Sequence, residues 1–470
     1  MPSKMPSVSK DFQQRIHMAL RNWHQQHTKH TLHDLLLAEQ SPPGQAPTHA
    51  RTITNRILED ALDQLRSVDA SASDLLQQRF RNREKAQAIA YRLNTTEDVV
   101  YHRQRAAIIQ LARIVWHQEL ALRQASTQTV ELQLGAPSYT RLYGFDTLMQ
   151  QASELISVPQ EPWILSVEGM GGSGKTAFTD ALVRHLTDYA PHYRVVWLTV
   201  RPSHFQPPNR FISSHDTDPD DIDALLDRLL SRLGQPPPHQ TSTIDKLASA
   251  RAQLKTDSYL VVLDGVEAMS HDRGFVHALS ELTKPSKLLL TTRHSLQGQN
   301  GTFILKIPDL SANDTLALIR TEAAVQGLQT LVLAQDTQLM EVYRATGGNP
   351  LAVKSIISDA HVFSLSLSIG RLSAATETSA ESLLDYIHSD GWQRLDSVSR
   401  RVLVAMSTNN TYEGINEIAQ VCQVDELTAA SSLYQLANLN LVSVAGDVTV
   451  KKYSLHPLTR AFAAQQGTDA

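Results

Sequence analysis

The chain has 470 residues, 41% of them apolar and 19% charged, an ordinary composition for folded domains. That length exceeds a single hydrophobic core, so three or four domains are expected. A net charge of −5 excludes a polyelectrolyte that wraps nucleic acid over its whole surface, so any such surface is local. The single cysteine, Cys422, excludes an intrachain disulfide and a cysteine-based metal site, and the 19 histidines show no paired zinc spacing. Met1-Pro2-Ser3-Lys4 opens no apolar signal segment, and no apolar run approaches the ~20 residues of a membrane span. A cytoplasmic protein without membrane contact is expected.

Residues 1–124 read as an all-helical domain. In segment 10–40, Phe12, Ile16, Met18, Leu20 and Trp23 are available for packing, and Ser41-Pro42-Pro43-Gly44 closes it. Within 72–123, Leu75, Leu76 and Phe80 form one apolar helix face, and Ala86, Ile89, Ala90 and Leu93 form another. Asn94-Thr95-Thr96 then interrupts, with Asn suited to a left-handed turn, and Glu97-Asp98 favours the positive end of a new helix. This is helix-turn-helix grammar, and the stretch resembles the sigma-factor region 4 type, with Asn94 in place of the usual turn glycine. Residues 74–123 hold nine Lys or Arg against five Asp or Glu. Tyr101, His102, Arg103 and Arg105 lie where a recognition helix meets base edges, and Arg79, Arg81, Arg83 and Lys85 are placed for phosphates. Double-stranded DNA is therefore one candidate partner; a protein effector recruited by the same helices is the alternative. Residues 125–140, rich in Ser, Thr and Gln, read as a linker.

Residues 141–305 alternate near-continuous apolar runs (163–167, 194–200, 259–263, 287–292) with amphipathic helical stretches (175–188, 221–233, 244–255), while Pro207-Pro208 and Pro236-Pro237-Pro238 mark loops. That alternation predicts an α/β layer with a parallel sheet buried on both faces. Gly169-Met170-Gly171-Gly172-Ser173-Gly174-Lys175-Thr176-Ala177 contains G-x-x-x-x-G-K-[ST] between a predicted strand and a helix. The glycines let backbone N–H groups turn inward around phosphates, and the helix start adds its positive end. Lys175 would reach the β- and γ-phosphates and Thr176 would hold Mg²⁺. Asp264 ends the next apolar run but one, where an α/β sheet binds ligand, and fits a metal-holding acid. Arg293, after Thr291-Thr292, is placed to distinguish a third phosphate by charge-assisted hydrogen bonds. ATP or ADP with Mg²⁺ is the expected ligand.

In that order these motifs resemble the STAND class of P-loop NTPases, which includes the NB-ARC proteins. The resemblance extends over 140–465 and implies a nucleotide-binding domain (141–305), a helical lid (306–370), a connector (371–390) and a winged-helix domain (391–470). Thr140-Arg141-Leu142-Tyr143-Gly144-Phe145-Asp146 is similar to the motif ahead of the P-loop, which implies that Tyr143 and Gly144 lie near the adenine; Phe145 stands where relatives carry Arg. Gly347-Gly348-Asn349-Pro350 is similar to the lid element whose proline, here Pro350, packs on adenine. Leu455-His456-Pro457-Leu458 is similar to the winged-helix motif whose histidine, here His456, touches the ADP β-phosphate and latches a closed state. Residues 309–360 read independently as helices, with Ser311 or Asn313 as caps, and 392–465 as three helices followed by strands around Gly446-Asp447. Gly265 occupies the position where many relatives carry a second acid, so slow hydrolysis is expected. A switch follows, closed with ADP and open with ATP. It would self-associate on ATP binding, with a sensor partner that the residues do not identify. Its output is either transcriptional or that of a scaffold in bacterial defence or stress signalling. A metabolic kinase leaves 390–465 without a role.

Overall fold

The computed structural model describes residues 8–25, 32, 35–39, 50–189, 193–200, 203–206, 210–213, 221–237, 241–267, 269, 273–297, 301–374, 380–408, 414–447 and 449–468. The breakers at 41–44 and 207–208, the tetrapeptide 1–4, Pro238 and Val448 lie outside the described residues. The chain divides into two compact units that meet between Leu132 and Gln133.

The first unit is helical. Helix Lys10–Arg21 starts on Ser9, whose hydroxyl accepts from Phe12 N at 3.2 Å. Helix Ala50–Val68 buries Ile57, Leu58, Ala61, Leu62 and Leu65, a stripe at helical spacing. Helix Ala70–Leu76 passes directly into a π-helical turn over Gln77–Arg81, followed by helices Ala86–Arg92 and Glu97–Leu134. Leu75, Ala86, Ile89, Ala90 and Val100 close a small separate core around the turn, where Asn94 takes φ +50°. The last helix runs through most of the segment read as a linker. Gln is a good helix former and Ser and Thr are modest ones, so the helix continues and stops where Gly135, at φ +69°, and Pro137 arrive.

The second unit is built on a five-stranded parallel sheet. In chain order its strands and hairpins are β1 (Ile164–Glu168), β2 (Arg194–Thr199), the β3–β4 hairpin (Ser203–Gln206, Arg210–Ser213), β5 (Tyr259–Asp264), β6 (Lys287–Thr292) and β7 (Thr302–Lys306). The sheet order is β2-β5-β6-β1-β7. Every residue of β1, β5 and β6 is buried, while the edge strands β2 and β7 are only partly covered. β7, Thr-Phe-Ile-Leu-Lys, mixes a short apolar core with polar ends and escapes a reading based on longer apolar runs, and its edge position leaves it part-exposed. The linked predicted boundary at 305 thus cuts through a strand. Lys287, fully buried at the head of β6, donates to the carbonyls of Leu155 and Gln160.

Parallel pairing decides the rest. Asp264 lies opposite Thr291, and Val167 and Glu168 lie opposite Thr291 and Thr292, so β1, β5 and β6 all end on one edge. Beyond β7, helix Ala312–Val325 is capped by Ser311, whose Oγ accepts from Asp314 N at 3.1 Å. Helices Asp336–Thr346, Pro350–Asp359, Leu365–Ala374 and Ala380–Arg394 share a core with Leu458 and Phe462 of the helix Pro457–Thr468. Helices Ser397–Ser407, Ile415–Cys422 and Glu426–Asn438 precede the antiparallel pair β8 (Ser443–Gly446) and β9 (Lys451–Ser454). The helix from 380 occupies most of the segment read as a connector.

Leu289 is completely buried in the central strand β6. Leu289→Ala is expected to cost about 2–5 kcal/mol through lost burial and a residual cavity. A thermal unfolding profile unchanged from the parent would contradict this central placement.

Candidate nucleotide site

The site forms on the shared edge of β1, β5 and β6. Gly169 to Gly174 leave β1 as a loop, and helix Lys175–Tyr189 starts directly from it. Lys175 is buried, and its Nζ donates to the carbonyls of Gly169 and Met170, each at 2.9 Å. Thr176 Oγ1 donates to Asp264 Oδ1 at 2.8 Å, and Thr291 Oγ1 donates to the same oxygen at 2.6 Å. Thr291 Oγ1 also accepts from Gly265 N at 2.8 Å, in the turn where Gly265 adopts φ +86°. A hydroxyl and a carboxylate side by side are hard oxygen donors, the set that suits Mg²⁺ when phosphates and water complete its shell. Among the described residues no cluster of three or more His, Cys, Asp or Glu could hold a metal by itself. The loop also fits a phosphate group: Gly172 takes φ +80°, Gly174 takes φ +96°, and the buried Ser173 Oγ has no hydrogen-bond partner among the described residues. Ala177 follows in the first turn of the helix, half-buried.

The helical segments beyond β7 lie directly on this loop. Asn349 is fully buried; its Nδ2 donates to Gly171 O at 2.9 Å, and its Oδ1 caps helix Pro350–Asp359 by accepting from Ala352 N. Leu351 N donates to Gly172 O at 3.3 Å. A Cβ on Gly172 would stand 2.7 Å from Leu351 Cβ, and one on Gly171 would stand 3.0 Å from Ile387 Cα. Pro350 occupies the first turn of its helix and is half-buried. The side chain of this element that hydrogen-bonds the P-loop is that of Asn349, and the signal for it is its position as a helix cap before proline.

Arg293 ends β6 with its guanidinium over the Tyr386 ring, 4.4 Å from the centroid, and donates from Nη1 to the Tyr386 carbonyl. Its Nη1 is 3.3 Å from where a Cβ on Gly171 would be, and its Nε is 3.6 Å from Glu267 Oε1. Its carbonyl accepts from Asn440 Nδ2 at 2.7 Å, and the neighbouring Ser295 N donates to Asn438 O at 2.7 Å. His294 Nε2 meets Asp390 Oδ2 at 2.8 Å. Burial would raise the Asp390 carboxyl, but His294 and Arg394 outweigh it and hold the group at about 2. Glu168 is buried at the end of β1, where burial raises its pKa; its Oε1 accepts from Leu296 N at 2.7 Å and Ser166 Oγ at 3.1 Å.

His456 abuts Gly347: a Cβ there would stand 2.2 Å from Nε2. Burial lowers its pKa while Asp309, with Oδ2 3.7 Å from Nε2, opposes the shift. His388 is fully buried with neither ring nitrogen hydrogen-bonded among the described residues, and burial pushes it down to about 3. Tyr143 donates or accepts at Thr321 Oγ1 (2.6 Å), and Gly144 turns at φ +74° beside Asp314. Phe145 is a buttress in place of a polar contact. It is buried edge-on against Phe178 of the P-loop helix, 5.4 Å between centroids.

In the first unit, Tyr101, His102, Arg103 and Arg105 are exposed on the opening turns of helix Glu97–Leu134. Arg79 is internally engaged: it donates to Gln104 Oε1 at 3.0 Å and to Glu84 O, and lies near the Tyr101 ring. Its guanidinium braces the turn, which corrects the expectation that it contacts phosphates. Arg81 is near Glu59 at 3.5 Å.

Residues 145–324 match the model of the NB-ARC domain. Among solved structures, a Walker-type ATPase of Pyrococcus abyssi is 11% identical, with a TM-score of 0.46, covering 69% of this chain and 96% of that one. A signal-transduction ATPase of the STAND class with a tetratricopeptide repeat sensor from Pyrococcus horikoshii is 14% identical, with a TM-score of 0.31, over 71% of this chain and 44% of that one. Drosophila ORC bound to DNA is 13% identical, with a TM-score of 0.33, over 73% of this chain and 91% of that one. A comparison with curated proteins finds no match.

Gly172→Ala introduces a Cβ at a left-handed position 2.7 Å from Leu351 Cβ, and the backbone penalty alone is about 1–2 kcal/mol. Limited proteolysis of helix Pro350–Asp359 is expected to accelerate roughly tenfold; an unaltered cleavage rate would show that the loop and this helix are not mechanically joined.

Proposed function

We propose that this chain, a P-loop NTPase carrying an NB-ARC domain over residues 145–324, is a nucleotide-dependent signalling switch with a slow ATPase. One observation carries the reading: Asn349 and Leu351 bond the helices that follow to the P-loop at Gly171 and Gly172, while Arg293, beside Gly171, bonds to Tyr386. A nucleotide bound there cannot change its phosphates without changing those bonds, and a ligand with differential contacts in two arrangements shifts their populations.

In this reading Gly169, Gly171, Gly172, Ser173, Gly174 and Ala177 contribute backbone around the phosphates. Lys175 leaves the carbonyls of Gly169 and Met170 to bind the β- and γ-phosphates. Thr176 holds Mg²⁺ directly and Asp264 holds it through water, with Thr291 aiming the carboxylate. Tyr143, Gly144 and Pro350 line the adenine end. ADP keeps the closed arrangement, with His456 latched on the β-phosphate. ATP brings a third phosphate to Arg293, whose hold on Tyr386 is then contested. Among the described residues Glu267 pairs with Arg293 and Gly265 has no side chain, so neither of these two positions supplies a base beside Asp264 to activate water. Turnover is therefore slow, as suits a timer.

The output is proposed to be transcriptional. The segment 391–470, with three helices and the β8–β9 pair, is read as a winged helix, and 72–123 as a helix-turn-helix that contacts double-stranded DNA through Tyr101, His102, Arg103 and Arg105. Self-association on ATP binding would cluster these modules and raise their effective concentration on DNA. The scaffold alternative draws on Tyr91, 90% exposed, beside the exposed Leu93 and Tyr101, an apolar surface suited to a protein effector.

Three outcomes test this. Lys175→Ala is expected to weaken ADP and ATP binding at least ~100-fold in a fluorescent-nucleotide titration, a loss of two charge-assisted contacts; retained affinity would refute the phosphate role. Steady-state hydrolysis should stay below about 1 per second, under the usual enzyme range; tens per second would rule out the timer. In gel-shift titrations of the full chain with a non-hydrolysable ATP analogue, Arg103→Ala and Arg105→Ala should weaken duplex binding by about 1–3 kcal/mol if they read bases. Absence of any salt-dependent shift at low salt would favour the scaffold.

A further inference from the structure

The loop between β7 and helix Ala312–Val325 carries an acid that phosphate binding does not call for. Asp309 stands 3.7 Å from His456 Nε2 and within the electrostatic field of Lys175. Burial raises its pKa, yet its side chain keeps 35% of its surface accessible, so it is not sealed in a core. The histidine it faces is oriented from three sides. Leu458 N donates to His456 Nδ1 at 3.2 Å, which leaves the proton of the neutral ring on Nε2. Gly347, at φ +60°, lets that edge approach its backbone. Asp309 is the third side, and among the described residues it is the only acid within ion-pair distance of His456.

We infer that Asp309 is the positioning residue of His456: its carboxylate holds the Nε2–H edge of the imidazole beside Gly347, within the electrostatic field of Lys175. The inference rests on the latch reading of His456 given above. At 3.7 Å the contact is too long for a hydrogen bond and becomes an ion pair only when His456 is protonated, so it acts through charge and orientation. The other charged or titratable groups around the pair are Lys175 of the P-loop helix, which acts on Asp309, and His388 of helix Ala380–Arg394, which interacts with His456 and in turn with Arg293. None is an acid, so none can replace Asp309 as a counter-charge. The sign is definite. Burial makes His456 harder to protonate and Asp309 makes it easier, so removing the carboxylate lowers the pH at which His456 takes up a proton.

The test uses the full chain. Cleavage after Lys452 and Arg460 yields the peptide 453–460, whose only histidine is His456. Its ring C–H exchanges with deuterium at a rate that reports protonation, so mass spectrometry of this peptide across pH gives the His456 midpoint. Asp309→Asn is expected to lower that midpoint by at least about half a unit, an opposite charge at this range being worth more when fully buried. Asp309→Glu is expected to restore most of the shift. Asp309→Ser serves as a second neutral variant if Asp309→Asn loses the far-ultraviolet dichroism of the parent. An unmoved midpoint in a folded neutral variant overturns the inference, as does failure of Glu to restore it. The latch reading is scored separately: saturating ADP should slow exchange at His456 in the parent chain. If it does not, the latch fails whatever Asp309 does.

Discussion

A single carboxylate oxygen organises the candidate site. Asp264 Oδ1 accepts one hydroxyl from the P-loop helix, at Thr176, and another from the strand between, at Thr291. Those two bonds tie the side chain at the end of β5 to its neighbouring strand β6 and, beyond it, to the P-loop helix. They are possible only because β1, β5 and β6 run parallel and end on one edge with Asp264 opposite Thr291. An acid alone at that edge would repel phosphate; held between two hydroxyls it is prepared for a cation. A slip of one residue in the pairing of β5 with β6 would turn Asp264 away from this edge.

From that point the contacts spread outward in two directions. One leads through the P-loop carbonyls of Gly171 and Gly172 to Asn349 and Leu351. The other leads through Arg293 to Tyr386 by its guanidinium and to Asn440 by its carbonyl. Both link the phosphate-binding backbone to helices far along the chain by polar bonds of specified geometry. Such bonds have two discrete conditions, made or broken, and so suit a two-state element better than a continuously deformable apolar contact. The buried imidazoles add to this. His388 and His456 are both driven towards the neutral form by burial, which keeps positive charge at the site concentrated on Lys175 and Arg293.

Two departures from the familiar motif pattern have local explanations in packing. Phe145 stands where an arginine was to be expected and fills its place by edge-on contact with Phe178, so the segment ahead of the P-loop is held by apolar contact. Gly265 follows Asp264 where a second acid was to be expected; its φ of +86° is a conformation that a side chain disfavours, and its N–H is used to hold Thr291. Glu267, the nearest acid along the chain, turns to Arg293. In the first unit Arg79 follows the same logic: a residue read as a surface charge is consumed in bracing a turn.

The sequence by itself determined the P-loop, the inner strands and the helices that follow them, because each is a local pattern: a glycine spacing, an apolar run, a 3.6-residue stripe. It also pointed to the left-handed turn at Asn94 and to a cap at Ser311 or Asn313, of which the structure uses Ser311; both depend on neighbours a few residues away. It left out β7, whose mixed residues carry no run, and it ended the long helix at 123 because Ser, Thr and Gln resemble a linker in composition although they can continue a helix. Only the tertiary structure decided that Thr291 aims Asp264, that Asn349 and not its neighbouring proline bonds to the P-loop, and that Asp309 faces His456. Those pairs lie 27, 178 and more than a hundred residues apart in the chain. No periodicity links them, and they meet only because the sheet register and the close approach allowed by Gly347 and Gly172 bring their backbones together.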